Sequence, residues 1–259
     1  MGHAHQAIVV AALLFVGMLI LLEMGRRAQV RRQRRDPEKP DQGAGALEAA
    51  VYGLLALLIA FTFSGAATRF DGRRHLVVEE ANAIGTAYLR VDLLPPAVQP
   101  ALKDSFRRYL DSRLEAYDQL PNFEAFRAGL AKSGALQTEI WTQAVTACPK
   151  AEGGTPACML LLPALNQMFD ITTTRTTALE VHPPAIIFVM LCVLALVTAL
   201  IAGYNLTGDR NRNWLPMVGF ALTVAATVYV ILDIEYPRLG FIRVEAIDQV
   251  LVNQRASMK

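Results

Sequence analysis

Residues Gly25–Gly43 read GRRAQVRRQRRDPEKPDQG and lie between two apolar runs. Six arginines and one lysine are packed into this stretch. A short segment crowded with Lys and Arg beside membrane-length apolar runs stays on the cytoplasmic side. The stretch therefore marks a membrane protein and sets the side of every later segment. Just upstream, Ala7–Leu22 is apolar throughout, with Glu23 and Arg26 at its edge. The positive charge follows this run instead of preceding it, so it reads as a span and not as a secretory signal peptide.

Three further segments have spanning length: Leu47–Ala67, Ala185–Tyr204 and Trp214–Leu232. Each is close to the ~20 residues that cross ~30 Å of hydrocarbon. Composition agrees. With 53% hydrophobic residues and a mean hydropathy of +0.32 the chain is too apolar for a soluble domain, yet 19% charged residues are too many for spans alone. The expected division is residues 1–67, two spans with a basic loop; 68–184, a helical extramembrane domain; 185–232, two more spans; and 233–259, a tail. The net charge of +2 says little, because the basic residues are concentrated in one place. Beside a span, that cluster reads as topology and anionic headgroups, and nucleic acid is not expected as a partner.

The N-terminus MGHAHQ has no Lys or Arg, and the third loop, Asn205–Asn213, carries Arg210 and Arg212. Both basic loops then face the cytoplasm. The expectation is a multi-pass protein of the bacterial inner membrane with its N-terminus outside and residues 25–45 cytoplasmic. Residues 68–184 and the tail lie outside, since long loops cross largely regardless of charge. The Asn205-Leu206-Thr207 sequon falls on the cytoplasmic side and carries no glycan. Cys148 and Cys158 bracket a Gly/Pro-rich turn. A disulfide suits that spacing and an oxidising compartment; two unrelated thiols are the alternative. Cys192 lies within the third span as a small packing or lipid-facing residue.

The middle region has a helical period throughout. Val98, Leu102, Phe106, Tyr109, Leu110, Leu114 and Tyr117 recur every three or four positions, as on one face of a helix. Pro95 and Pro96 precede that helix and Pro121 follows it. Further helices are expected over Asn122–Ala147 and Cys158–Val181, the latter ending at His182-Pro183-Pro184. Leu47–Arg90 contains no proline, so the second span can run on as a stalk, with Phe70, Val77, Ile84 and Tyr88 on one face. The fold class is all-α: four transmembrane helices with a helical domain between the second and third.

No enzymatic signature is present: no HExxH, Gly-rich phosphate loop, CxxC or GxSxG. The four histidines are scattered, so no metal or cofactor is expected. Glu79 and Glu80 are adjacent and point in different directions on a helix, which reads as a solvated face. The spans are nearly free of ionisable residues, unlike proton relays and pumps. A channel needs none, because polar side chains and hydrophobic constrictions suffice. AFTFSGAATRF on the second span offers Phe61, Thr62, Phe63, Ser64 and Thr68 as pore-lining candidates; packing between helices is the alternative. Small residues four apart, Ala56, Ala60, Ser64 and Thr68 on the second span and Ala195, Ala199 and Gly203 on the third, mark seams where helices approach closely. Beyond the spans, Arg69, Arg73, Arg74, Glu79, Glu80, Asp233, Glu235 and Arg238 form a candidate charge belt, at a pore mouth or purely structural.

The runs LLALLIAFTFSGAATRFDGRRHLVVEEANAIGTAYLRVDLLP, FRRYLDSRL and DIEYPRLGFIRV resemble the bestrophin-like membrane proteins of bacteria, over essentially the whole chain, with Phe63–Leu94 its most specific part. That family is named for a distant relation to bestrophins, pentameric anion channels whose second helix lines the pore. The resemblance implies a homo-oligomer, with a pentamer as the expected assembly, inorganic ions and the lipid bilayer as partners, and a passive ion channel as the function. The acidic Ca²⁺ cluster of animal bestrophins has no counterpart here, and they place their helical domain in the cytoplasm, whereas the charges here place it outside. A membrane-anchored sensor or scaffold that binds a partner through residues 68–184 is the alternative.

The orientation is testable with Lys39→Cys and Lys132→Cys in intact cells. An impermeant thiol reagent should label position 132 and spare position 39; the reverse pattern overturns the orientation.

Overall fold

The computed structural model describes residues 2–35, 45–120, 122–148, 155–205, 214–236 and 245–258. Residues 36–44 lie outside them, as do Pro121, Arg210, Arg212 and Arg238. All regular structure among the described residues is helical. The helices are α1 (Gly2–Arg35), α2 (Gly45–Arg90), α3 (Gln99–Asp118), α4 (Phe123–Ala147), α5 (Thr155–Glu180), α6 (Ala185–Asn205), α7 (Trp214–Glu235) and α8 (Glu245–Ser257), with one 3₁₀ turn at Val91–Leu93. Four stretches are long and apolar enough to cross a membrane, within α1, α2, the α5–α6 region and α7.

One correction concerns the basic stretch. It is not a loop from Gly25: α1 continues through it to Arg35. The reason is local. No proline occurs before Pro37, and Arg, Gln and Ala are good helix formers. Arg32, Arg34 and Arg35 occupy the last turn, where cations meet the negative end of the helix dipole. Glu23 pairs with Arg26 at 3.0 Å and Arg27 at 2.7 Å, one turn apart.

The chain forms two units, residues 1–69 with 182–236 and residues 70–181 with 237–259. In the first, α1 lies tight against α6 and α7. Its core is Leu14, Met18 and Leu22 of α1, Leu191, Ala195 and Ala199 of α6, and Met217, Ala221, Val224, Val228 and Ile231 of α7, with Leu55 and Ala66 of α2. Two glycines set the α1–α6 distance. A Cβ on Gly203 would lie 2.0 Å from the Leu22 carbonyl oxygen, and one on Gly25 would lie 2.2 Å from that of Leu200. The backbones therefore touch, as small-residue seams in lipid allow. The Ala195/Ala199/Gly203 stripe is this seam, and all three residues are buried. Arg32 donates to the Tyr204 hydroxyl where the two helices end.

In the second unit the expected α3 face is the buried one: Leu102, Phe106, Tyr109, Leu110 and Tyr117 are inside, and Val98 and Leu114 pack against them or beside them. Val77, Ile84 and Tyr88 of α2 join Leu136, Ile140, Leu161, Leu165 and Met168 in the same core. Phe70 is only half-buried, with Arg74 over its ring. Asn122 caps α4 by accepting from Ala125 N at 3.1 Å, the expected role for Asn at that position. The two prolines after His182 end the α5 region, because the residue before a proline is driven out of the helical conformation. A disulfide joins Cys148 to Cys158, with Cα atoms 5.6 Å apart. The tail, read from sequence as a separate segment, contributes Leu251 and Met258 to this core through α8 and its end.

The seam yields a stability prediction. Gly203→Ala should cost about 1–3 kcal/mol or more, as overpacking does. Gly219→Ala, at a position open on all sides, should change stability by less than ~0.5 kcal/mol. Thermal unfolding in detergent reads both; equal midpoints would contradict the backbone contact.

Candidate functional site

The second span is the least enclosed of the four. Only 6% of its apolar window is buried inside the protein, against 22% for α1 and 33% for α7. Leu55 and Ala66 are its buried points. A helix turns ~100° per residue, so these two share a flank with Leu58, Ile59, Thr62 and Arg69. Opposite them lies a bare face. Ala56, Ala60, Ser64 and Thr68 are all exposed on it, together with Gly53 and Leu57. Among the described residues none covers the four members of this stripe, so it is no seam within the chain and stays available to a helix of another copy.

The five pore-lining candidates do not share one direction. Ser64 and Thr68 lie on the bare face. Phe61 is 67% exposed and Phe63 43% exposed, but they project to opposite edges of it, ~200° apart by helical geometry. Thr62 falls on the enclosed flank. It is half-buried, and its hydroxyl donates to the Leu58 and Ile59 carbonyls at 2.8 and 3.0 Å. The Thr68 hydroxyl donates to Ser64 O at 2.9 Å.

The candidate charge belt resolves into separate sets. In the first unit Arg69 grips Glu235, with Nη2–Oε2 at 2.7 Å, and the Glu235 side chain is fully buried. His182 Nδ1 is 3.1 Å from Glu235 Oε1, and the His182 ring stacks on Tyr236 with centroids 4.5 Å apart. Asp233 is also buried and accepts from the Tyr229 hydroxyl at 3.2 Å. In the second unit Arg73 donates to the Ala178 and Val181 carbonyls. Arg74 pairs with Asp71, and His75 with exposed Glu79. Glu79 is thus solvated as expected, but its neighbour Glu80 is not.

Glu80 is fully buried between two guanidiniums. Arg113 Nε lies 2.7 Å from Oε1, Arg175 Nη1 donates to Oε2, and Arg175 Nη2 reaches Asp248 at 3.0 Å. The Tyr117 ring lies under both arginines, 3.7 Å from the Arg175 guanidinium carbon. Burial on its own would raise the carboxyl pKa; attraction and hydrogen bonds from Arg113 and Arg175 outweigh it and hold Glu80 below the usual carboxylate range. Burial likewise works against the Arg113 cation, and Glu80 reverses it, so Arg113 stays charged.

Sequence reasoning missed Arg113, Arg175 and Asp248. A signal existed. Arg113 sits on the apolar α3 stripe four residues from both Tyr109 and Tyr117, where only a paired charge can be buried. Among the described residues no cluster of three His, Cys, Asp or Glu side chains is placed to hold a metal.

Four membrane-capable helices and a helical second unit define a multi-pass, all-α membrane protein. A family model for the bestrophin-like domain matches residues 8–247. The match spans nearly the whole chain, and the chain belongs to the bestrophin-like family. No curated protein and no solved structure matches it.

Removing one member of the buried trio leaves an uncompensated charge. Glu80→Ala should cost about 3–5 kcal/mol, while Glu79→Ala should stay within ~0.5 kcal/mol. The trio also sets an acid limit. Because the folded pKa of Glu80 lies below its unfolded value near 4.3, the unfolded state binds more protons in that range. The stabilisation is complete above about pH 4.3 and is lost as pH falls through the folded value. Chemical unfolding of wild type and Glu80→Ala at pH 7 and pH 3 tests this: the gap between them should shrink in acid, and a gap that widens contradicts it.

Proposed function

We propose that this protein is a passive ion channel built from several copies of the chain, with five as the expected number, in which the second span lines the path. The observation that carries the reading is the bare face of α2. A membrane helix with Ala56, Ala60, Ser64 and Thr68 in a row, uncovered by the described residues of its own chain, is shaped for close approach to other copies or to an aqueous path. Membership of the bestrophin-like family supports the same arrangement. Small side chains and two hydroxyls offer ions room and oxygen ligands, and the spans hold almost no ionisable group with which to drive coupled transport.

The edges of the face have different roles in this reading. In this reading Phe63, at one edge of the face, forms the narrow part of the path, where an aromatic ring gates by dewetting. Phe61 stands at the opposite edge, in the wall of the cavity against α6, and in this reading lies outside the path. Thr62 belongs to the packing of α2 on its own bundle. Arg69, held by Glu235, terminates the span. Its charge is largely cancelled by its partner, so the sign of the conducted ion is not set there. In this reading the basic end of α1 faces the cytoplasm and residues 68–184 lie outside it, where the Cys148–Cys158 disulfide is chemically at home.

Purified protein in liposomes should release trapped ions, and its mass in nanodiscs should be a multiple of 28.3 kDa. Phe63→Ala should raise flux about tenfold, equivalent to lowering the barrier by about 1.4 kcal/mol, and Phe61→Ala should leave it near wild type. A strictly monomeric particle, or no flux under varied voltage, pH and salt, would overturn the channel and favour a membrane-anchored scaffold.

A further inference from the structure

We infer that a cavity between α2 and the start of α6 binds a membrane phospholipid, with one acyl chain inside and a headgroup oxygen held by Arg69. This lies outside the proposed path and does not rest on the channel reading. The cavity has a volume of about 310 Å³, within the range of small-molecule sites. Its walls are apolar side chains such as Leu58, Phe61, Ile187 and Met190, with Pro183 among them. Thr62 contributes no free hydroxyl proton, because it is bonded to its own helix. Arg69 is the single charged residue in the wall.

Three observations fix the occupant. First, the wall residues belong to the end of one span and the beginning of another, so the cavity lies where acyl chains meet headgroups. Second, Arg69 spends Nε and Nη2 on Glu235, while Nη1 has no partner among the described residues. Nη1 sits beside Gly65, where a Cβ would come within 3.3 Å of it. An unmatched guanidinium donor at the edge of hydrocarbon is costly unless an oxygen acceptor arrives, and a phosphodiester is the acceptor present at that depth. Third, the volume, about 310 Å³, is small. It fits a single chain and not a neighbouring helix, whose diameter is ~10 Å. The small-residue face suited to a second copy lies on a different side of α2.

The cavity also has a feature that keeps it open. Gly65 forms part of its wall, and any larger side chain there would intrude on the space beside Arg69.

The test uses the full chain in nanodiscs of phosphatidylglycerol, read by native mass spectrometry. Wild type should keep bound phosphatidylglycerol after removal of the surrounding bilayer. Gly65→Leu, which fills the cavity, should lose it. Arg69→Lys, which retains an ion pair with Glu235 but removes the spare guanidinium donor, should weaken retention about tenfold. Ile187→Trp fills the cavity from the opposite wall and serves if Gly65→Leu does not fold. Lipid-free wild type, or equal retention by the filled variants, overturns the proposal. So does efficient crosslinking of Met190→Cys between copies, which would make a second chain the occupant.

Discussion

The contact between the backbones of α1 and α6 constrains the rest of the membrane unit. Gly25 and Gly203 have no side chains, and nothing larger than hydrogen fits at either point. In lipid no hydrophobic force draws helices together; close packing must do it. Once α1 is seated against α6 and flanked by α7, the tight seams of this chain are used. The second span is left to join by longer side chains on one flank. Its bare face and the cavity beside it both follow from that arrangement: one flank is loosely filled, and none of the described residues fills the other.

The charges beyond the spans follow a different rule. A helix that carries Arg69, Asp71, Arg73, Arg74, Glu79 and Glu80 distributes them around its whole circumference. Each then finds the partner that its own direction offers. Arg69 meets a buried carboxylate, Arg73 meets carbonyls at the end of α5, Arg74 and Glu79 stay with neighbours one turn away, and Glu80 is enclosed. A linear list of charges suggests one belt. The helical period separates it into unlike environments, from fully solvated to fully dry.

The same contrast explains what was legible in the sequence. Helix positions were, because prolines and apolar periodicity are local: the α3 stripe Leu102, Phe106, Tyr109, Leu110 and Tyr117 and the cap Asn122 are written in consecutive residues. The uninterrupted α2 was legible through the absence of proline. The family was legible in the run Phe63–Leu94. The continuation of α1 past Gly25 was misread because charge content was taken as a loop signal, although topology and helicity are independent. The direction of each residue in AFTFSGAATRF could be computed from the period, but which flank would be covered depends on how the other helices pack. Arg175 and Asp248 were not legible as partners of Glu80, since nothing local links positions so far apart in the chain.

The enclosed trio has a further consequence, for how the sequence can change over time. Glu80, Arg113 and Arg175 are individually intolerant: losing any one strands a charge in a dry interior. Together they are replaceable, since a well-packed apolar set of similar volume serves a buried core at least as well. The route from one solution to the other passes through variants that fold poorly, because the effects of touching residues do not add. The trio is therefore an evolutionary trap. A lineage that has it keeps all three or must exchange them nearly at once, and relatives of this chain should fall into two groups at these positions with few intermediates between them.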